Sequence, residues 1–167
     1  MQFATVTVMM LAMNVGQHSA MPAGMSHEEH LRQLAKETEV KTRGAAVMGF
    51  DQDATTHHFL LTDAGGVIQV EANRPDDQAS REAIRAHLRK IAEEFGRGVF
   101  DAPLGTHGEV PHGVETMKAQ KDAIGYRYED YGNGGRVHIV GRTTAASNAI
   151  HEFLRYQIRE HRTGDPG

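Results

Sequence analysis

Apolar and polar residues alternate through Phe59, Leu61, Ile68, Val70 and Ala72, on either side of Asp63-Ala64-Gly65-Gly66. A period of two across a glycine turn predicts a β-hairpin. Pro75-Asp76-Asp77 then opens a helix, and its stripe Ile84, Leu88, Ile91 and Phe95 keeps helical spacing until Gly96 and Gly98 stop it. The same order returns downstream. Tyr126 to Tyr131 reads as a strand, Gly132-Asn133-Gly134-Gly135 as a turn and Val137 to Val140 as the return strand. A helix carrying Ile150, Leu154 and Ile158 follows, and His161 to Gly167 reads as a helix stop and polar end. Between the copies, Phe100 to Gly113 holds Pro103, Gly105, Gly108, Pro111 and Gly113 and is expected to be a loop; Val114 to Ala123 is expected to be a short helix. Upstream, Ser26-His27-Glu28-Glu29 has the form of a capping box. The helix it opens is expected to reach about Glu39, with Thr42-Arg43-Gly44 as its stop.

Set on their glycine pairs, the two copies align: Gly65-Gly66-Val67-Ile68 with Gly134-Gly135-Arg136-Val137, and Ala83-Ile84 through Leu88-Arg89 with Ala149-Ile150 through Leu154-Arg155. The chain is therefore read as a ββα–ββα duplication. A lone hairpin is marginal in water, so the two should join. The expected fold is α+β: a four-stranded antiparallel sheet with two long helices on one face, the other face open or used for homodimerisation. The expected segments are 1–20, a signal peptide; 21–43, a helical or flexible arm; and 44–167, the duplicated domain. The alignment also acts as an internal control. His57 meets Tyr126, Phe59 meets Tyr128, and His87 meets Phe153. Strand alternation puts His57 on the face of Phe59 and Leu61, under the helices, and turns His58 outward.

Composition sharpens this picture. The chain has 167 residues, net charge −4 and no cysteine. That fits one domain, gives no basic footprint for nucleic acid, and excludes disulfides, thiolate zinc sites and cysteine nucleophiles. Phe3 to Val15 is nearly all apolar yet too short to span a bilayer, and Gln17-His18-Ser19-Ala20 follows with small residues. This is the form of a secretory signal cleaved near Ala20, although no basic residue precedes Arg32. The expected location is the periplasm or outside the cell, with no membrane span after cleavage.

Eleven histidines and eight methionines then define the candidate chemistry. Imidazole is a common metal ligand, and thioether adds a preference for Cu(I). His57 or His58, with His87 and His107 and with Met117, form the candidate site for copper or zinc. A three-histidine site requires the ring nitrogens to meet within about 4 Å of one point, because metal–nitrogen bonds are near 2 Å. Met21, Met25, His27 and His30 form a second, looser cluster. Asp51 and Asp53 are candidate partners for an imidazole. No Ser-His-Asp order and no carboxylate pair points to catalysis.

Val47-Met48-Gly49-Phe50, Thr55-Thr56-His57-His58-Phe59, Ile84-Arg85-Ala86-His87-Leu88 and His151-Glu152-Phe153-Leu154-Arg155-Tyr156-Gln157-Ile158 resemble segments of an uncharacterised family of small exported bacterial proteins. The resemblance covers roughly residues 44 to 166. It implies export and a single compact domain, and it lends no catalytic residues. The leading functional expectation is an exported metal-binding protein, for copper or zinc, acting in binding, buffering or delivery. A module that binds a partner or dimerises through the face of His58, Leu60 and Thr62 is the main alternative. A small metalloenzyme, with Asp53 or Glu109 as acid or base, is the third.

Overall fold

The computed structural model describes residues 24–167. The expected signal segment and Met21 lie outside them. The capping box forms as the sequence predicts: the Ser26 hydroxyl accepts from the Glu29 N–H, and the Glu29 carboxylate accepts from the Ser26 N–H. Helix α1 (His27–Met48) runs well past the expected stop. Gly44 does not break it, because its bare backbone lies against the side chain of Gln52. The stop falls at Gly49, whose φ of 79° only glycine takes at little cost, and whose N–H bonds Ala45 O.

A hairpin follows, β1 (Thr55–Thr62) and β2 (Gly65–Ala72), joined by Asp63-Ala64. Helix α2 (Gln78–Gly96) buries Ile84, Leu88, Ile91 and Phe95, the stripe read from the sequence, and Asp77 caps it through the Ser80 N–H. Each such side chain contributes about 1.5–3 kcal/mol by leaving water. The second hairpin, β3 (Ile124–Tyr131) and β4 (Gly134–Gly141), precedes α5 (Thr144–His161).

The stretch expected to be a loop, Phe100 to Gly113, instead holds a short helix, α3 (Asp101–His107), and α4 (Val114–Ala119) follows it. Pro103 is tolerated because it lies in the first turn of α3, where a missing N–H costs no helical bond. Gly108, at φ 73°, ends that helix and bonds Leu104 O. The helix expected over Val114 to Ala123 is shorter and passes into a single 3₁₀ turn.

The sheet is antiparallel in the order β1-β2-β4-β3. Both hairpins have the same register, with Thr55 opposite Ala72 and Ile124 opposite Gly141. At the centre, Ile68 pairs with Val137, its equivalent in the other copy. A pseudo-twofold axis therefore passes through that pair. Each helix lies chiefly over the other copy's hairpin, α2 over β3 and β4, α5 over β1 and β2. The glycine pairs belong to the strands rather than to the turns. A Cβ on Gly66 would run into Leu154 of α5, so glycine there sets how closely the helix sits on the sheet. Phe59, Ile68, Val70, Val137 and Ile139 form the covered face with the helix stripes. The opposite face leaves Leu60 and Val140 exposed.

Candidate functional site

The crossing of α5 over the first hairpin sets its last turn above β1. His161 ends α5, and its ring lies parallel to that of His57, centroids 5.5 Å apart. His107, on the last residue of α3, meets His161 edge-on at 5.1 Å. Phe50 stacks on His57 at 6.0 Å and meets His87 edge-on at 5.7 Å. These four histidines line one cavity of about 60 Å³, with Met48 and Gln157 and otherwise almost wholly apolar walls. That is room for roughly four water molecules.

The internal duplication shows what is special about this end. Aligning Ile84 with Ile150 carries Ile91 onto Gln157 and Phe95 onto His161. With Tyr126 in the place of His57, the contact of Phe95 with Tyr126, at 6.0 Å, is the counterpart of the contact of His161 with His57. One end of the molecule fills these positions with hydrocarbon and a phenol, the other with two imidazoles and an amide. His107 has no counterpart, because it comes from the linker between the copies.

Burial governs the electrostatics. It lowers His57 to about 4, aided by the nearby His87 and His58, and His87 to about 4, aided by Lys90. It lowers His161 to about 3, aided by His57 and His107. His107 is also lowered by burial, partly offset by its hydrogen bond to Gln157 and by Glu160 and Glu109. At neutral pH all four rings are uncharged. His107 Nε2 lies 3.0 Å from Gln157 Oε1. An amide oxygen only accepts, so in this orientation of Gln157 the tautomer that makes the bond has its proton on Nε2 and a lone pair on Nδ1. That Nδ1 is buried without a partner, as are Nε2 of His57 and Nε2 of Gln157. Buried polar atoms are normally paired, so three orphans on one cavity call for an explanation.

His57, His87 and His107 of the expected site thus share the cavity. His58 does not: it faces away, with Nδ1 2.9 Å from Asp165 Oδ1. The other carboxylate oxygen of Asp165 accepts from the Phe59 N–H, so the tail shields the β1 edge. Met117 is also elsewhere, fully buried in the core. Among the described residues, no group of three or more histidine, aspartate or glutamate side chains is arranged to hold a metal ion. The acidic candidates are engaged: Asp53 pairs with Lys41 at 2.6 Å, and Glu109 accepts from Tyr156 Oη at 2.7 Å. Asp51 accepts from the Asp53 N–H and caps the turn before β1.

Sequence reasoning missed His161 and Gln157 as cavity residues. For both the signal lay in the helix alignment, which puts an imidazole and an amide where the first copy has Phe95 and Ile91. Outside the cavity is a wider polar recess of about 340 Å³ that includes Lys41, Asp53 and Thr56 and shares His57 and His161 with the inner space. Those two rings line both spaces. No family model, curated protein or solved structure matches the chain.

Proposed function

We propose that the chain binds a transition-metal ion, copper or zinc, at the cavity histidines, and acts in metal binding, buffering or delivery outside the cytoplasm. The observation that supports this most is the pair of buried, unpartnered ring nitrogens, His57 Nε2 and His107 Nδ1, on one cavity of uncharged imidazoles. The hydrogen bond from His107 Nε2 to an amide oxygen is the kind of outer contact that fixes the tautomer of a ligating histidine. The rings are stacked or edge-on instead of converging, but their centroids are close enough for two to reach one ion after turning. A ring bound at about 2.1 Å has its centroid roughly 3 Å from the metal, so two rings on one ion lie within about 6 Å. The spacings 5.5 and 5.1 Å meet that limit. Binding then needs rotation about χ2, a soft torsion in histidine. The revised ligand set is His57, His107 and His161, with His87 at the wall.

The test is metal analysis of protein purified from its native compartment. One equivalent of metal per chain is expected, lost on joint His57→Tyr and His161→Phe substitution. Metal-free native protein, or metal retained by that variant, overturns the reading.

The exposed Leu60 and Val140 favour a second reading, homodimerisation through the open sheet face. Sedimentation analysis decides it: Leu60→Lys should halve the sedimenting mass if that face is the interface, and leave it unchanged if it is not.

A further inference from the structure

The cavity is built to hydrogen-bond as well as to exclude charge. Its lining includes no aspartate, glutamate, lysine or arginine. Burial keeps its four imidazoles uncharged at neutral pH. A charged organic molecule would find no counter-charge there, and an unpaired charge in so apolar a space is costly. Three buried polar atoms on the lining lack partners: His57 Nε2, His107 Nδ1 and Gln157 Nε2. His107 and Gln157 are joined through Nε2 and Oε1 at 3.0 Å. With the amide placed that way, the Gln157 amide group is left to donate and His107 Nδ1 to accept. Turning the amide over reverses both roles, so that His107 Nδ1 carries the proton and the Gln157 oxygen accepts. Either way the pair leaves one donor and one acceptor unused. His57 Nε2 takes the role its tautomer gives it.

Water both donates and accepts, but it suits this space poorly. The cavity, of about 60 Å³, has room for roughly four waters, each needing about two to four polar partners. Three unpartnered protein atoms supply little of that, because the wall around them is made of side chains such as Phe59, Ile68, Val70, Leu88, Ile91 and Phe95. Poorly bonded water is displaced with a gain by an apolar group. A carbon body with one polar end that donates and accepts matches both parts of the wall. Binding sites for small molecules are commonly made this way, apolar with a few placed polar groups.

We infer that the cavity binds a small uncharged organic molecule of about four non-hydrogen atoms, with a hydrogen-bond donor and an acceptor that engage Gln157 and His107 and an apolar body against the hydrocarbon wall. The inference goes beyond the metal reading and does not need it. One space holds one occupant at a time, so the test uses the full chain freed of metal by a chelator. Acetamide is titrated at neutral pH and followed by NMR. Acetone and acetate, of the same size and shape, are titrated in parallel; acetone only accepts, and acetate is charged. The expected result is acetamide bound at least about tenfold more tightly than either, the effect of one buried group left unpaired. Nuclear Overhauser contacts should run from its methyl group to Leu88 and Ile91. The affinity ceiling per atom puts its best Kd on the order of tens of micromolar. Gln157→Leu, similar in size but without donor or acceptor, should bind acetamide no better than acetone. If that variant does not fold, the preference and the contacts in the parent protein decide alone. Acetone or acetate bound as tightly as acetamide overturns the inference, as does a folded Gln157→Leu protein that keeps the preference. Acetamide that touches no cavity side chain overturns it too, and so do cavity signals unchanged at every probe concentration the fold tolerates, which leave only water there. None of these outcomes bears on the metal reading, and metal-free native protein would leave this inference standing.

Discussion

Uncharged imidazoles in a largely apolar cavity tie the stability of this protein to pH. In an unfolded chain a histidine takes its proton near pH 6.5. In the folded protein His57 and His87 do so near 4 and His161 near 3. Between these limits the unfolded chain binds more protons, so stability is full above about pH 6.5 and is lost as pH falls toward 4. Each displaced group accounts for about 3 kcal/mol over that window. Denaturant unfolding of metal-free protein should therefore show a loss of several kcal/mol between pH 7 and pH 4.5, reduced in His161→Phe. A profile flat across that range contradicts the burial of these rings. Met117 gives a contrasting case. It is fully buried in the core and absent from the cavity wall. Met117→Ala should cost about 2–5 kcal/mol, while metal binding of the folded variant stays unchanged; a lost metal with intact stability would make it a ligand after all. At this scale the inward turn of His57 was legible, because period-two alternation and Tyr126 in the other copy both mark it. The burial of His107 was not: nothing local distinguishes a solvated Gly/Pro loop from one folded under a neighbouring helix.

The position of His107 depends on α1 and α3 together. Arg43 of α1 donates from Nε to Thr106 O at 3.2 Å and from Nη2 to His107 O at 3.3 Å. Those are end carbonyls of α3, which its own helix leaves unpaired. Arg43→Ala should leave them unpaired, cost about 1–3 kcal/mol, and speed amide exchange in α3 while the sheet stays protected. Unchanged exchange in α3 would show that the rest of the packing is enough to seat His107. The length of α1 explains why this link was not visible in the sequence. Thr42-Arg43-Gly44 reads as a helix stop, and only the contact with Gln52 shows why a glycine continues the helix. The strands and long helices were legible because each carries a hydrophobic period strong enough to stand alone. The short helices are stabilised by tertiary contacts, and those leave no periodic trace.

Across the whole molecule, the duplication makes two similar ends and the sequence makes them different. The pseudo-twofold axis at Ile68 and Val137 relates the pair Tyr126 and Phe95 to the pair His57 and His161. The fold class, the sheet and the helices on one face were all legible from the repeat. The crossing of each helix over the other hairpin was not, because a repeat fixes which units pack but not which helix covers which hairpin. That crossing brings His161 to His57, and so decides the composition of the site. The exchange His57→Tyr, Gln157→Ile, His161→Phe should yield a folded protein whose melting temperature at pH 5 is at or above that of the parent, because no imidazole at these two positions must then stay unprotonated. A variant that fails to fold, or melts lower, would mean that the linker helix and not the repeat determines the shape of this end. The most direct measurement on the central claim is a crystal structure of the copper-loaded protein with anomalous diffraction at the copper edge. The account predicts one strong peak inside the cavity, within bonding distance of nitrogens of His57, His107 and His161. A peak confined to the N-terminal Met/His arm, or a cavity without copper in loaded crystals, would contradict it.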